Sequence, residues 1–524
     1  MAVRSALVSV ARAIDARVPL TSEIVVGKDI LELLSTAMYV DPLTILREYV
    51  QNAADAIDGA HADGLLGSNA SGRIDVQIHS ESRELVVKDN GSGVKVADAE
   101  RVLVAFGASG KRGKGFRGFR GIGRLGGLGY VRTLTFRTRA AGESEITEVQ
   151  WDCRELREQL LSVSGKPGLE DVVRRIVSVR RVSVKGGEPH FFEVRLGGVV
   201  RMWNDRLLNR VEVSKYLSQV CPLPFDPELP FADRIEQHLA KHIPPRRFLV
   251  YLDDQPAPLV RPYGRTFPVS AGNHDRFLDC ELLEVPGLEG SPAAVGWILH
   301  HSYLGALRSA PEIRGLRART RDMQVGDEEI FAGSFPERRF NSWVVGEIHT
   351  LDRLLVPNGR RDNFEHNASY SSLLNYLAPI CREIARKCRA SSSRRSRLHV
   401  FDTNENQGKK LLNALKRGGP GVKSRRSVLQ TVDACVKAMD RIAGSSLFPE
   451  DLRKELRARL KRLISRRTRS GAIPEGNHIE LIVPAGQRRM YRQIARLVRA
   501  CASSRQAAAS LLERIAHRLA ERRH

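Results

Sequence analysis

Residues 46–57 constrain the fold most strongly, because their apolar side chains recur at the spacing of one helix face. The apolar positions are Leu46, Tyr49, Val50, Ala53, Ala56 and Ile57. Three polar side chains, Glu48, Asn52 and Asp55, therefore share the other face of the predicted helix. A carboxylate and an amide one turn apart can activate a water and hold a magnesium ion that bridges phosphate oxygens. An ordinary solvated helix face accounts for the same pattern.

A strand-like segment, residues 84–88, leads directly into Asp89, and glycines follow at Gly91 and Gly93. It is the second of two short strands that we predict within residues 73–88. The two glycines let a ligand approach the backbone, and Asp89 can accept a hydrogen bond from an adenine amino group. The run Asp-Asn-Gly is equally a strong signal for a tight turn that needs no ligand.

Glycine and basic residues dominate residues 107–129. Closely spaced glycines and cations suit a mobile lid over phosphate groups. The segment lacks the G-x-x-x-x-G-K-[ST] pattern of a Walker A loop, and no strand leads straight into its G-x-G-x-x-G run, as a dinucleotide-binding fold requires. A flexible basic loop or a nucleic-acid contact fits the same composition.

The order and spacing of these three segments resemble the GHKL superfamily, whose members share an N-box helix with Glu, Asn and Asp, a D-x-G-x-G loop and a glycine-rich lid. Within that superfamily, residues 33–39 and 46–56 are similar to the 90-kDa heat-shock chaperones almost position by position. Residues 108–111, before the lid, share that similarity. The resemblance implies a Bergerat-type α/β sandwich that binds ATP.

The resemblance also implies a role for each matched residue. Glu48 would be the general base for the attacking water, Asn52 the magnesium ligand and Asp89 the adenine reader. Further contacts to ATP would come from Asp55, Gly91, Gly93, Ser109, Lys111, Gly121, Ile122 and Gly123. The Gly-Thr that the family places before a late pocket strand has no counterpart at residues 191–196, so no threonine contact is assigned. The implied reaction is magnesium-dependent hydrolysis of ATP to ADP and phosphate.

Residues 352–363 resemble the catalytic loop of the chaperones' middle domain, with Arg361 at the arginine position and Asn358 beside it. A cation delivered from another domain can stabilise the charge that develops on the γ-phosphate, and so couple catalysis to domain closure. Arg360 competes for the same role, and a surface turn rich in Arg and Asn is an equal alternative.

The chain of 524 residues is long enough for about three domains. Strand-like runs at residues 134–137, 191–196 and 248–252 alternate with helical segments, which predicts an α+β fold. We predict a Bergerat-type α/β sandwich domain that binds ATP at residues 1–205, an α/β middle domain at 206–370 and a mostly helical, basic region at 371–524. Apolar stripes in the last helices, at Ile494, Leu497, Val498 and Cys501 in one case, bury against the same chain or a partner subunit.

Composition bounds the partners and the compartment. The net charge of +24 favours acidic partners such as nucleic acid, although an organism-wide basic bias or a solvated Arg-rich surface accounts for it equally well. No stretch approaches the roughly 18 apolar residues of a spanning helix, and the seven cysteines lie scattered without zinc spacing. We expect a reduced, cytoplasmic protein with no membrane segment and no secretory signal.

Four functions are compatible with the pocket, and the first two are favoured. The resemblance favours a homodimeric, chaperone-like ATPase that works on a protein client. The alternative is a nucleic-acid-associated GHKL ATPase similar to MORC or mismatch-repair proteins, which the charge favours and the lack of a recognisable helix-turn-helix or nuclease motif disfavours. A sensor histidine kinase fits poorly, since fewer than fifty residues precede the N-box. A scaffold that only binds nucleotide does not need a base at Glu48.

Overall fold

A computed structural model describes residues 41–67, 72–105, 123–161, 168–184, 189–201, 204–270, 272–417, 422–471 and 483–521. Four of the predicted ATP contacts, Ser109, Lys111, Gly121 and Ile122, lie outside the described residues. The chain divides into two compact units, Met1–Ser302 with Ala306–Arg382 and Tyr303–Gly305 with Glu383–His524. The boundaries that we predict at residues 205 and 370 stay predictions.

Helices and strands alternate through the first unit, and helices follow in the second. The helices among the described residues are α1 (Thr44–Ala62), α2 (Val96–Val104), α3 (Cys153–Leu161), α4 (Leu169–Ile176), α5 (Arg210–Val220), α6 (Ala232–Leu239), α7 (Ala368–Lys416), α8 (Val422–Ala443), α9 (Glu450–Gly471), α10 (Arg488–Cys501) and α11 (Arg505–Glu521). The strands are β1 (Gly72–His79), β2 (Glu84–Asp89), β3 (Thr133–Arg139), β4 (Glu145–Asp152), β5 (Val177–Ser183), β6 (Phe191–Gly197), β7 (Phe248–Leu252), β8 (Thr266–Ser270), β9 (Asn273–Arg276), β10 (Asp279–Pro286), β11 (Pro292–His300), β12 (Gly315–Thr320), β13 (Met323–Val325) and β14 (Val345–Thr350).

A seven-stranded sheet with the order β5-β4-β3-β6-β2-β1-β7 forms the first layer of the N-terminal part. Its neighbouring strands are antiparallel, except that β7 runs parallel to β1. Ile74, Val76 and Ile78 of β1 alternate with more exposed residues and belong to the same core as Val50 and Ile57 of α1. Burial of each such side chain stabilises the fold by roughly 1.5–3 kcal/mol. This α/β arrangement confirms the predicted fold class, and the predicted strands at 134–137, 191–196 and 248–252 are correct.

A second, five-stranded sheet with the order β10-β11-β14-β12-β13 follows in the first unit. It is mixed, since β12 is parallel to β14 and the other pairs are antiparallel. Its core holds Trp297 of β11, whose ring meets those of Tyr263 and Phe225 edge to face at 5.0 and 5.7 Å. Such aromatic pairs add to the stability gained from area burial alone.

Charged side chains form a buried network in this second sheet, centred on Glu347 of β14. Arg319 Nε lies 2.7 Å from Glu347 Oε1, and the Arg261 guanidinium contacts both the other carboxylate oxygen and Asp322. Burial by itself raises the pKa of Glu347, but the guanidinium groups of Arg261 and Arg319 outweigh it and hold that pKa well below its usual range. The network therefore carries compensated charges, and it includes Asp322 in the turn between β12 and β13.

Helices alone form the regular structure described in residues 383–521, which confirms the predicted helical C-terminal region. One core lies among α7, α8 and α9 and contains Phe401, Val432 and Leu460. A second core joins α10 and α11 through Tyr491 and Leu512. Among the described residues, no helix combines the length and apolar character that a bilayer crossing requires.

The apolar stripe that we predict for α10 is only partly buried within this chain, where Val498 packs against the core that α10 shares with α11. Ile494 is half-buried, but Leu497 is 66% exposed and Cys501 is also exposed. The buried face instead contains Tyr491 and Ala495, because α11 covers that side of the helix. The sequence pattern located an amphipathic helix correctly, and burial of Leu497 and Cys501 against a partner subunit stays a prediction.

Candidate functional site

The polar face of α1 lies inside the protein. Glu48 is 6% and Asp55 3% exposed, while Asn52 is half-buried. An ordinary solvated face is therefore the wrong interpretation of this pattern, because solvated carboxylates remain accessible. Burial of two carboxylates on one helix is costly unless partners compensate them. The buried polar face of α1 is therefore a candidate functional site.

Two guanidinium groups and a glycine surround the Glu48 carboxylate. Arg47 Nε lies 3.6 Å and Arg361 Nε 3.3 Å from Glu48 Oε1. On the other side, a Cβ atom added to Gly123 would stand 2.2 Å from Glu48 Oε2. A side chain at position 123 would therefore displace the carboxylate, and only glycine permits this close approach.

Arg361 reaches this carboxylate from a loop more than three hundred residues further along the chain. The loop is closed by a hydrogen bond of 2.8 Å from Asn358 N–H to the Asn363 carbonyl, and Gly326 N–H donates to the Arg361 carbonyl at 2.8 Å. Arg361 itself adopts the left-handed conformation, with φ of +57°. For a residue other than glycine this conformation costs about 1–3 kcal/mol, and it persists where its surroundings impose it.

The structure distinguishes between the two candidate arginines. The Arg361 guanidinium donates to Gln51 Oε1 on α1 and its side chain is only 13% exposed. Arg360 is exposed, and its carbonyl oxygen accepts a hydrogen bond of 3.4 Å from the Arg47 guanidinium. Arg361, and not Arg360, is therefore the arginine whose side chain lies beside the carboxylate of Glu48. A mere surface turn does not describe this loop.

Asp89 lies at the end of β2, buried, where its Oδ1 accepts a hydrogen bond of 2.8 Å from Gly91 N–H. The predicted tight turn is thus present. It packs against α1, because Ser92 N–H donates to the Ala56 carbonyl at 3.2 Å. A Cβ at Gly91 would stand 2.7 Å from Ala56 atoms, so this position also requires glycine.

Gly93 completes the turn with φ of +64°, and a Cβ there would lie 2.2 Å from the Arg139 carbonyl of β3. Thr138 of the same strand is buried and accepts a hydrogen bond of 2.8 Å from Val94 N–H. The His190 ring contacts the Gly91 carbonyl at 2.6 Å. The loop after Asp89 is therefore anchored by Thr138 of β3 and by His190, which immediately precedes β6.

Sequence reasoning missed four residues of this site: Arg47, Gln51, Thr138 and His190. Gln51 carries a signal that could have found it, since it lies one turn after Glu48 on the same helix. Arg47 is adjacent to Glu48. The chain shows no comparable signal for Thr138 or His190, whose positions depend on the pairing of β3 and β6.

The assembled groups have a definite chemical capacity. A buried carboxylate can accept a proton, and an adjacent guanidinium can stabilise negative charge. A carboxylate buried at the end of a strand can accept a hydrogen bond from an N–H group of a heterocyclic ring. Polyphosphate esters with a heterocyclic base carry complementary groups.

Comparison with known proteins agrees with this geometry. Residues 41–171 match a family model described as "Histidine kinase-, DNA gyrase B-, and HSP90-like ATPase". The chain is also similar to the chaperone protein HtpG of Rhizobium etli, with 33% identity over 86 residues. That segment covers 16% of this chain and 14% of the length of HtpG. The predicted resemblance is confirmed for residues 41–171, which are similar to the GHKL-type ATPases, that is, to the histidine kinase-, DNA gyrase B- and HSP90-like ATPases.

Proposed function

We propose that this protein hydrolyses ATP to ADP and phosphate, with Glu48 as the base and Arg361 as the cation that stabilises the transferred phosphoryl group. The observation that carries this proposal is the ion pair between them, with Arg361 Nε 3.3 Å from Glu48 Oε1. It joins the N-box helix of the ATPase domain to a loop far beyond residue 171, where the family match ends. A domain that only binds nucleotide has no need for this pairing.

Glu48 would act on the water that attacks the γ-phosphate. Its carboxylate accepts one proton from that water as the new oxygen–phosphorus bond forms and the bond to the ADP oxygen breaks. Arg361 places its positive charge beside this reaction, and Arg47 and Gln51 hold the carboxylate and the guanidinium in position. Fixed charges of this kind need no reorganisation during the reaction.

The residues present fit a nucleotide with magnesium. Among the described residues, none makes a hydrogen bond to the buried atoms Glu48 Oε1 and Gln51 Nε2. Gly123 lets the backbone approach the same carboxylate so closely that a Cβ atom there would lie 2.2 Å from Glu48 Oε2. Asn52, one turn after Glu48 and half-buried, would hold the ion through its amide oxygen. When bound, Mg²⁺ neutralises charge on the phosphate oxygens.

Replacing Asp89 with asparagine is expected to weaken ATP binding about 10- to 100-fold, because one acceptor oxygen becomes an amino group that faces the adenine donor. Isothermal titration calorimetry with a non-hydrolysable ATP analogue measures the effect. Asp98→Asn is the matched control, since the Asp98 side chain is 45% exposed and pairs only with Arg101 among the described ion pairs. Unchanged affinity in Asp89→Asn would remove Asp89 from the proposed adenine contact.

We further propose that ATP turnover serves a chaperone-like function on protein clients, carried out by a homodimer in the cytoplasm. Support comes from the local similarity to a protein named as a chaperone. Suppression of the thermal aggregation of citrate synthase is expected to require ATP and to fail in Glu48→Ala. Light scattering measures the aggregation of citrate synthase. Light scattering by the protein alone gives its molar mass in solution and so tests the homodimer. Suppression of equal strength without ATP would contradict the proposal.

A further inference from the structure

The positive charge of this protein is concentrated at one end of the chain. Residues 383–524 contain 34 of the 84 lysines and arginines but only 12 of the 60 aspartates and glutamates, a net charge of +22. Residues 1–382 contain 50 basic and 48 acidic residues, a net charge of +2. A basic bias spread over the whole protein would not produce this division. The charge therefore belongs to the C-terminal unit and calls for an explanation there.

The arginines of α10 form a row along one side of that helix. Arg489, Arg492, Arg496 and Arg499 follow one another at intervals of three and four residues, and all are exposed. Side chains at this spacing lie about 5–6 Å apart on one face. The helix contains no acidic residue. The row thus places four exposed arginine side chains on one side of the helix.

Helix α9 carries a second basic surface, with nine basic and three acidic residues. One of these basic side chains is paired with another helix: Arg459 forms ion pairs with Asp402 and Glu405 of α7. Four other basic side chains are exposed and make no ion pair among the described residues, namely Arg457, Lys461, Arg462 and Arg469. A helix that exposes uncompensated cations repels itself unless a polyanion neutralises it.

The apolar faces of both helices are already occupied. In α10, Tyr491 and Ala495 pack against Leu512 of α11, and the Tyr491 hydroxyl donates to the Leu512 carbonyl at 3.2 Å. In α9, Leu456 and Leu460 lie in the core of the three-helix cluster. A helix that lies in a membrane surface buries its apolar face in lipid. The apolar faces of α9 and α10 are already packed against protein and cannot enter a lipid layer. A soluble polyanion therefore fits these helices better than a membrane surface does.

The side-chain chemistry favours phosphates of a duplex. Arginine outnumbers lysine by 26 to 8 in residues 383–524, and its planar fork binds phosphate oxygens in pairs. The same residues contain three aromatic side chains, Phe401, Phe448 and Tyr491, and all three are buried. Single-strand binding proteins use exposed aromatic rings on which bases stack. The described surface offers cations for a phosphate backbone and no such ring.

We infer that the C-terminal unit binds duplex nucleic acid through its phosphate backbone, without sequence preference, and that the arginine row of α10 is one contact surface. Duplex DNA presents one negative charge per roughly 1.7 Å of its axis, so a row of cations meets phosphates at any position along it. This inference goes beyond the proposed ATPase activity and does not depend on it.

The test measures binding of the full chain to a fluorescein-labelled duplex DNA of about 20 base pairs by fluorescence anisotropy, at several salt concentrations. We expect a dissociation constant in the micromolar range near physiological salt. The triple variant Arg489→Ala/Arg496→Ala/Arg499→Ala is expected to bind at least tenfold more weakly. Its slope of log K against log salt should fall by roughly 2–3, since each lost phosphate contact removes about 0.9.

Two control variants accompany this test. One removes the same number of charges from another surface, and the other keeps the charges but replaces the guanidinium groups. Lys241→Ala/Arg308→Ala/Arg338→Ala removes three exposed cations from the first unit and should leave the affinity within about twofold. Arg489→Lys/Arg496→Lys/Arg499→Lys keeps the charges and should keep the salt slope. Circular dichroism establishes that each variant retains its helices. Equal losses in the first-unit control would overturn the inference.

Competition experiments decide the kind of polyanion. Unlabelled duplex DNA and duplex RNA of the same length distinguish which duplex is preferred, and competition by either supports the inference. Single-stranded DNA of that length should compete less well than the duplex. The inference fails if vesicles of phosphatidylcholine with about one third phosphatidylserine bind the chain while neither duplex does, or if the single strand binds as tightly as both duplexes.

Discussion

Glu48→Ala is expected to abolish ATP turnover while ATP still binds. The variant removes the carboxylate that lies beside Arg361 and Gly123, and with it the group that would accept the proton of the attacking water. A positioned general base contributes about 10²- to 10⁴-fold to a rate, so kcat should fall by that factor. The proposed adenine contact, Asp89, lies on a different element, β2, so ATP binding should be retained. Steady-state phosphate release with magnesium, and calorimetric ATP binding in parallel, measure the two quantities.

Two further variants make this test specific. Glu48→Gln preserves the shape beside Gly123 but cannot accept the proton, so its turnover should be as low as that of Glu48→Ala. Glu81→Ala removes an exposed carboxylate and should leave turnover unchanged. The assignment of Glu48 as base is wrong if Glu48→Gln retains more than roughly a tenth of the wild-type rate.

Arg361→Ala is expected to lower kcat about 10²- to 10³-fold with little change in KM, because the cation stabilises charge that develops only during the reaction. The Arg361 side chain contacts both Glu48 and Gln51. Among the described ion pairs, it is the only guanidinium from this loop beside the Glu48 carboxylate, and the variant removes it. Steady-state kinetics at saturating and limiting ATP separate the two parameters.

Arg360→Ala is the matched control for this loop. Arg360 is exposed, and the variant keeps the carbonyl that accepts from Arg47. Its kcat should stay within about twofold of wild type, as for surface changes that remove no transition-state contact. Arg361→Lys tests the guanidinium itself: lysine keeps the charge but loses the fork that reaches two partners, so recovery should be partial. A larger effect at Arg360 than at Arg361 would reverse the assignment.

The N-box face illustrates what can be predicted from local pattern. Glu48, Asn52 and Asp55 lie on one side of α1 because the period of a helix follows from backbone geometry, whatever the rest of the chain does. The turn after Asp89 is predictable for the same reason, since Gly93 adopts a conformation that other residues avoid. Short stretches of sequence are therefore enough to predict the helix, the β2 strand and the turn.

The burial of that face does not follow from local pattern, and neither does the choice between Arg360 and Arg361. Adjacent residues in a loop differ in which side chain points inward, and this depends on the left-handed backbone at Arg361 and on its hydrogen bond from Gly326. The sequence predicts β7 as a strand but not its parallel pairing with β1, through which it joins the first sheet from residue 248 onward. Pairing across such distances depends on topology, which no short window of sequence contains.

The amino-acid sequence by itself determined the N-box helix, the Asp89 turn, the family of the ATPase domain and the concentration of charge in residues 383–524. Only the tertiary structure decided that Glu48 is buried, that Arg361 is its partner, and that Thr138 and His190 anchor the loop beside Asp89. The physical reason is the separation along the chain between the residues that interact. Helix period, turn conformation and charge are properties of neighbouring residues, whereas burial and pairing arise from contacts between segments that only folding brings together.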